Sequence, residues 1–245
     1  MKLSGNTILI TGGATGIGLG LARALAAENR VLICARRASR LAQARTAVPA
    51  LETFSCDAGS VQGRRDLLEW ALRTAPDLNV LINNAGVQHR IDLLEDARER
   101  GGRYEEIAIN LEAPIHLSEL LIPHFRRRDS AAIVNITSGL AFVPSAAVPI
   151  YCATKAALHS FSLSLRHQLR NTSVRVYEVA PPLVQSELHD HQGGPILSTS
   201  GMPTEEFVAA CLQGLEQDVH TNLVGQAARL SEKPEDSFRL LNPAT

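Results

Sequence analysis

Short apolar segments alternate along the chain with longer segments whose apolar residues recur every three to four positions. The apolar segments are rich in Val, Ile and Leu and predict strands at residues 7–11, 30–34, 51–56, 79–83, 131–137, 173–179 and 221–224. The longer segments predict helices at residues 16–28, 39–48, 61–74, 103–127, 149–170 and 204–217. Strands that are apolar on both faces, each followed by a helix, indicate a parallel sheet that helices cover on both sides.

This alternation predicts an α/β fold in one domain, a Rossmann-like, doubly wound parallel sheet of about seven strands with helices on both faces. The chain has 245 residues, 45% of them hydrophobic, which is enough for one such domain. Its ligand should bind beyond the carboxyl ends of the strands. Residues 185–203 combine Gly, Pro, Ser and His without periodicity, and we expect them to form a mobile lid over the substrate.

Charge, hydropathy and cysteine spacing exclude several classes of partner. The formal net charge of −1 offers nothing that would attract nucleic acid or an anionic membrane. No apolar segment approaches the roughly 20 residues that span a bilayer. The four cysteines lack the spacing of metal ligands, so we expect reduced thiols in a cytoplasmic protein. We expect no metal site and interpret His89, His189 and His191 as pocket or lid histidines.

The first predicted strand is followed by a glycine-rich turn and an amphipathic helix. The turn, residues 11–18, has the spacing Gly-x-x-x-Gly-x-Gly in Gly12, Gly16 and Gly18. Glycine lets the backbone approach a pyrophosphate closely, and the helix N-terminus adds free amides and a positive dipole. Any tight turn from strand to helix can use glycine, but the position after the first strand favours a dinucleotide site.

The sequence Thr-Gly-x-x-x-Gly-Ile-Gly of this turn resembles the cofactor loop of the short-chain dehydrogenase/reductase family. Six motifs of that family occur in order between residues 7 and 186: this loop, Asp57, the run Asn83-Asn84-Ala85-Gly86, Asn110, Ser138, and the pair Tyr151 and Lys155. One motif could arise by chance, but six in the same order could not. Within the family, residues 137–142 and 151–164, with Ala180-Pro181-Pro182, resemble the DltE-like oxidoreductases, which says little about the substrate.

The resemblance implies an enzyme that moves a hydride between a nicotinamide cofactor and a carbonyl or alcohol. It implies four catalytic residues: Asn110, Ser138, Tyr151 and Lys155. The residues expected to bind the cofactor are Gly12, Ala14, Thr15, Gly16, Ile17, Gly18, Arg36, Arg37, Asp57, Ala58, Asn84, Ala85, Gly86, Tyr151, Lys155, Pro181, Val184 and Ser186.

Tyr151 and Lys155 are four positions apart and therefore share one helix face. The ammonium, with the positive nicotinamide, would lower the pKa of the phenol from about 10. Tyr151 would protonate the substrate oxygen while Ser138 stabilises the oxyanion. By resemblance, Asn110 would position a water that links Lys155 to solvent. An exposed Tyr–Lys pair is common on helices, but the chain has only three lysines, so chance rarely produces this spacing.

The residues after the second strand distinguish NAD from NADP. An acidic residue there accepts from the 2′-hydroxyl of NAD, whereas an arginine pairs with a 2′-phosphate. Ala35 occupies the position where NAD-dependent members of the family carry Asp, and Arg36 and Arg37 follow it. A guanidinium–phosphate contact stabilises binding by roughly 1.5–3 kcal/mol, so we expect NADP(H) to be favoured over NAD(H), chiefly through Arg36. Pro182, in place of the family's Gly, would stiffen the entrance to the lid.

The expected substrate contacts are Ser138, Leu140, Phe142 and Tyr151, with Pro144, Val148 and Leu183 adding apolar surface. They favour a largely apolar ketone or aldehyde. An alternative is a non-catalytic regulator that senses NADP(H) with the same fold, although a sensor has no need of a proton donor. A second alternative is an epimerase or dehydratase, but such enzymes usually carry a larger C-terminal substrate domain.

The helices at residues 103–127 and 149–170 are longer than the covering of one sheet face requires. Their apolar residues extend beyond one stripe: Ile107, Leu111, Ile115, Leu120 and Leu121 on the first helix, and Ala157, Phe161 and Leu165 on the second. The family resemblance pairs these helices with their symmetry mates, so we expect a homodimer or homotetramer. The alternative is that all these residues pack on the sheet of their own subunit.

Overall fold

The computed structural model describes residues 1–94, 105–188 and 201–242. Its strands are β1 (Thr7–Thr11), β2 (Arg30–Ala35), β3 (Glu52–Ser55), β4 (Val80–Asn83), β5 (Ala131–Ile136), β6 (Val174–Ala180) and β7 (Thr221–Leu223). They form one sheet in the order β3-β2-β1-β4-β5-β6-β7, and every pair is parallel. This confirms the predicted doubly wound sheet, whose strand order reverses between β1 and β4 and opens a crevice at their carboxyl ends.

The helices of the described residues are α1 (Gly16–Leu25), α2 (Ala38–Ala47), α3 (Val61–Thr74), α4 (Glu105–Ile107), α5 (Ala113–Phe125), α6 (Pro149–Leu169), α7 (Thr204–Glu216), α8 (Gln226–Glu232) and α9 (Pro234–Leu241). A π turn, Ala108–Glu112, joins α4 to α5, and a 3-10 turn, Gly139–Ala141, follows β5. Helices α8 and α9 were not predicted. None of the described helices is long and apolar enough to cross a membrane.

The core consists of two apolar layers, one on each face of the sheet. Every residue of β1, β4 and β5 is buried, and neighbouring positions point into opposite layers: Ile8 and Ile10 into one, Leu9 into the other. Because these strands are buried on both faces, their sequences are continuously apolar and do not alternate between apolar and polar residues. The core holds the polar strand ends in fixed relation to one another.

The long helix predicted at residues 103–127 is interrupted in the structure, and its first two residues lie outside the described part. Pro114 has no amide hydrogen for the carbonyl of Asn110, four positions earlier. In the π turn, the amide of Ala113 donates instead to the carbonyl of Ala108, five positions back. Asn110 therefore lies in a widened turn rather than in a regular α-helix.

Two residues assigned to an outer helix face are in fact inside the subunit. Leu121 on α5 is fully buried and Leu165 on α6 is 6% exposed, and both belong to the layer against the sheet. Sequence periodicity placed them outside because both helices carry apolar residues around more than one stripe. Leu120 remains outside, at 40% exposure.

Candidate active site

The turn between β1 and α1 is suited to a pyrophosphate. Gly12 and Gly16 have φ of +64° and +52°, in the left-handed region that favours glycine. A Cβ on Gly12 would lie 2.8 Å from the Cα of Ala85, so the turn packs directly on the end of β4. Thr15 is extended and no side chain caps α1, which leaves the first amides of the helix available to an anion.

Asn84 fixes this turn to the end of β4. Its Nδ2 donates to the carbonyls of Thr11 and Gly12 at 3.0 and 3.1 Å. The hydroxyl of Thr11 accepts in return from the amides of Asn84 and Ala85, at 3.0 and 3.1 Å. The predicted cofactor residues of two separate strands are thereby held together by four hydrogen bonds.

The two arginines that follow β2 lie at the surface, and each pairs with a carboxylate. Arg36 pairs with Glu105 of α4. Arg37 and Arg40 both lie 3.2 Å from Oε2 of Glu187, which follows β6. One carboxylate lies on α4 and the other follows β6, so three separate parts of the chain meet at the surface beyond the end of β2.

Asp57 and Ala58 follow β3 at the same edge of the sheet. Asp57 is exposed, and its Oδ1 accepts the amide of Gly59 at 2.9 Å, which shapes the turn into α3. Ala58 is buried, as is Ala14 of the turn between β1 and α1, residues 11–18, which we call the phosphate turn. The structure thus places these two expected cofactor residues at the carboxyl end of β3.

Ser138, Tyr151 and Lys155 converge where β5 ends and α6 begins. The phenol of Tyr151 lies within hydrogen-bonding reach of Ser138. The Nζ of Lys155 is 5.7 Å from the centre of the Tyr151 ring and donates to the carbonyl of Ile136 at 2.9 Å. All three side chains are buried, Ser138 at 7% exposure. The Tyr-x-x-x-Lys spacing and the end of β5 bring the three expected groups into one cluster.

Burial dominates the acid–base properties of the pair. It raises the pKa of Tyr151, while the hydrogen bond with Ser138 opposes the rise. Burial also lowers the pKa of Lys155 from 10.5 to about 8. Without the cofactor, the pKa of Tyr151 shifts in the direction opposite to the one expected for the ammonium together with the nicotinamide, and loss of water around the phenol is the largest cause. The polypeptide alone therefore holds Tyr151 in the neutral form that donates a proton.

Asn110 is fully buried beside this cluster, and its amide braces a backbone loop. Its Oδ1 accepts the amide of Val87 at 2.9 Å, and its Nδ2 donates to the carbonyl of Val87 at 2.8 Å. The same Nδ2 lies 3.2 Å from the hydroxyl of Thr154. A Cβ on Gly86 would lie 3.5 Å from Oδ1 of Asn110 and 3.8 Å from Nζ of Lys155. Asn110 and Lys155 therefore flank the last residue of the Asn-Asn-Ala-Gly run.

The segment after β6 lies across the crevice from the phosphate turn. The carbonyl of Pro181 accepts the amide of Gly139 at 2.9 Å, and Val184 is buried and pairs with Met202. A Cβ on Gly16 would lie 3.2 Å from Cβ of Ser186. Residues 189–200 of the predicted lid, which include His189 and His191, lie outside the described part of the chain.

The expected substrate residues are distributed around the other side of Tyr151. Leu140 and Val148 pack in one small cluster with it, and Leu183 is partly exposed. Phe142 and Pro144 line a surface groove of about 370 Å³ together with Pro234, Glu235, Phe238 and Arg239. The last four residues belong to α9 and were missed, although Pro234 followed by two acidic residues is a recognisable helix start.

Sequence reasoning also missed two polar residues behind the cluster. Glu178 of β6 is fully buried and bonds His159 of α6, whose ring packs on Phe142 at 4.7 Å between centroids. A further acid, Glu106, is 1% exposed and accepts the amide of His89 at 3.1 Å. Neither acid stands in a motif. A glutamate near the end of a strand whose other residues are apolar except Arg175 was the available signal for Glu178.

Proteins of known family and of solved structure are similar to this chain in sequence and in fold. The family model for short chain dehydrogenases matches residues 6–194. An uncharacterized oxidoreductase of Bacillus subtilis, DltE, is 51% identical over 222 residues, which cover 89% of this chain and 87% of that protein. A short-chain dehydrogenase from Sphingobium yanoikuyae, solved with NADPH, is 28% identical with a TM-score of 0.79, covering 96% and 94% of the two chains. A dehydrogenase/reductase from Burkholderia phymatum, solved with NAD, is 19% identical with a TM-score of 0.85, covering 100% and 98%, and shows likeness of fold.

Proposed function

The chain belongs to the short-chain dehydrogenase family, and on that premise we propose that it transfers a hydride between NADP(H) and a carbonyl or alcohol substrate. The observation that carries the proposal is the cluster of Ser138, Tyr151 and Lys155 at the carboxyl end of β5. A protein that only senses the cofactor would have no use for a buried phenol beside a buried ammonium. The reaction that uses both is reduction of a carbonyl, or its reverse.

The phosphate turn fits a dinucleotide. A Cβ on Gly12 or Gly18 would occupy space already taken by neighbouring backbone, and the uncapped amides of α1 suit a pyrophosphate. Asn84 and the segment from Pro181 to Ser186 would border the cofactor on either side. When bound, its nicotinamide supplies or accepts the hydride.

In the reductive direction, Tyr151 gives its proton to the substrate oxygen. Burial keeps the phenol protonated until that transfer. Ser138 donates a hydrogen bond to the same oxygen while negative charge develops on it, before the proton transfer is complete. Lys155, at a pKa of about 8, is mostly charged at neutral pH and stabilises the phenolate that remains. We retain the water-positioning role of Asn110 as part of the proposal.

The preference for NADP(H) is supported by charge near the end of β2. Arg36, Arg37 and Arg40 carry three positive charges, against which Glu105 and Glu187 supply two negative ones. The residual positive charge favours a 2′-phosphate, and Ala35 presents no carboxylate that would repel it. The NADPH bound to the Sphingobium relative is consistent with this preference.

Assembly through the two long helices is a further part of the proposal. Leu120 of α5 and Leu163 of α6 are 40% and 45% exposed, and Phe161 is partly exposed. Apolar residues on the outer sides of α5, which follows the turn of Asn110, and of α6, which carries Tyr151 and Lys155, suit a two-fold contact, with a homodimer as the minimum.

A panel of ketones, aldehydes and alcohols tests the proposal through absorbance of NADPH. We expect carbonyl-dependent oxidation of NADPH by the unmodified chain, and a rate lower by about 10²–10⁴-fold in Tyr151→Phe. Binding of NADPH without turnover of any compound in a broad panel would support the sensing alternative instead.

A further inference from the structure

Glu178 is an acid buried inside the sheet. It lies on β6 and has no solvent exposure. The hydroxyl of Thr137 donates to its Oε1 at 2.8 Å, and Nδ1 of His159 lies 2.8 Å from Oε2 and 3.0 Å from Oε1. Within the described ranges, His159 is the only basic side chain within 4 Å of this carboxyl group.

The chemistry of the contact defines which atoms hold hydrogen. A carboxylate only accepts, so opposite an ionised Glu178 the hydrogen of this contact belongs to Nδ1 of His159. Three hydrogen-bond contacts compensate for the loss of water around the carboxylate. Replacing such a buried pair with apolar residues is often neutral or stabilising, so stability alone gives little reason to place a glutamate here.

The network reaches the reaction cluster by three routes. Thr137 immediately precedes Ser138, and the residue before it, Ile136, accepts the hydrogen bond from Lys155. His159 lies one turn beyond Lys155 and two turns beyond Tyr151 on the same face of α6. The ring of His159 also packs on Phe142, which ends the turn that begins at Ser138.

We infer that Glu178 and His159 are positioning residues, which fix the end of β5 against α6 so that Ser138, Tyr151 and Lys155 keep their reactive arrangement. The inference rests on the proposed function in one respect, the assignment of the reaction to these three groups. Thr137 is the link: its hydroxyl is held by Glu178 while its amide donates to the carbonyl of Val179 at 2.9 Å. Neither Glu178 nor His159 is assigned a contact with the substrate.

Matched pairs of variants separate this role from simple packing. His159→Asn places an amide nitrogen near the former Nδ1 and keeps the donor, whereas His159→Leu removes it. Thr137→Ser keeps the hydroxyl that bonds Glu178, whereas Thr137→Val keeps the shape and loses the hydroxyl. Glu178→Gln keeps the size of the side chain and removes its negative charge. Because it alters the buried acid itself and could fail to fold, the other two positions carry the decision.

In carbonyl reduction with NADPH, we expect kcat to fall about 10- to 100-fold in His159→Leu and Thr137→Val, as misplacement of reacting groups predicts. The Kd of NADPH should stay near that of the unmodified chain, because the phosphate turn is untouched. With NADPH deuterated at the transferred position, the isotope effect on kcat should rise as the chemical step becomes limiting. His159→Asn and Thr137→Ser should recover most of the lost kcat.

An NMR measurement that needs no turnover distinguishes failure of this inference from failure of the proposed function. The chain has three tyrosines, and 13C at the phenol carbon gives three resonances, of which Tyr151→Phe identifies one. In the NADPH complex, His159→Leu and Thr137→Val should shift the Tyr151 resonance, and the two conservative variants should restore it. Unchanged kcat and an unchanged resonance in both disruptive variants would overturn the inference. Absence of turnover in the unmodified chain, with the resonance still responding, would overturn only the proposed function.

Discussion

The ammonium of Lys155 lies 5.7 Å from the centre of the Tyr151 ring and is bonded to a main-chain carbonyl rather than to the phenol. The lysine is therefore placed to act on the tyrosine through its charge. Direct proton exchange between the two side chains would need a closer approach. In the proposed reaction, Tyr151 would therefore donate the proton, and Lys155 would act on it through its charge.

Tyr151→Phe should lower kcat by about 10²–10⁴-fold, the contribution typical of general acid catalysis. Cofactor binding should remain, since only a hydroxyl group is removed. Steady-state kinetics and NADPH fluorescence measure the two effects separately. Tyr177→Phe is the control, because the hydroxyl of Tyr177 bonds Asp218, away from the cluster. Retention of more than about a tenth of kcat in Tyr151→Phe would contradict the mechanism.

The buried ammonium predicts a specific dependence of stability on pH. The pKa of Lys155 is 10.5 when unfolded and about 8 when folded. Between these values the unfolded chain holds a proton that the folded chain has released, so the free energy of unfolding rises with pH. The difference in pKa corresponds to about 3 kcal/mol over this window.

Lys155→Met should remove that rise from the cofactor-free protein. Denaturant unfolding at pH 7.5 to 11 gives the comparison, and Lys233→Met, which alters an exposed lysine, is the control. Parallel curves for the unmodified chain and Lys155→Met would show that the ammonium is not buried as described.

NADPH should bind at least about tenfold more tightly than NADH, which is the scale of one guanidinium–phosphate contact. Arg36→Ala should remove most of that gap and leave NADH affinity almost unchanged. Fluorescence titration measures the Kd of each cofactor, and the difference in affinity between NADPH and NADH should become smaller at high salt. Arg175→Ala changes an exposed arginine near the opposite end of the sheet and should have no such effect. Equal affinities in the unmodified chain would contradict the cofactor assignment.

Light scattering at micromolar concentration should give twice or four times the chain mass of 26.4 kDa. Leu120→Glu should return the species to one chain, because a charge would then lie on the outer side of α5. Leu94→Glu alters a leucine that is 95% exposed elsewhere and should keep the assembly intact. A fully active species of 26.4 kDa before any substitution would exclude the assembly without affecting the proposed reaction.

The sheet was predictable because its strands are buried on both faces and therefore carry a continuous apolar signal. The reaction cluster was predictable because its spacing is local, as with Tyr151 and Lys155, or linked to a strand end, as with Ser138. The contact of Glu178 with His159 was not predictable, because it joins a residue of β6 to a residue of α6 and no local sequence pattern pairs them. The direction of the pKa shift of Tyr151 in the cofactor-free chain was not predictable for a similar reason: it depends on burial, which the spacing does not reveal.

The π turn at Ala108–Glu112 determines the direction in which the side chains of α4 point relative to those of α5. It accommodates one residue more than an α-helical turn would, and one residue corresponds to a rotation of about 100°. Loss of a single residue here would restore a regular helix and rotate α4 away from its contacts. Glu106 would leave the amide of His89, and Glu105 would leave Arg36. The number of residues in this short segment therefore determines whether α4 can contact the amide of His89 and the side chain of Arg36 at the same time.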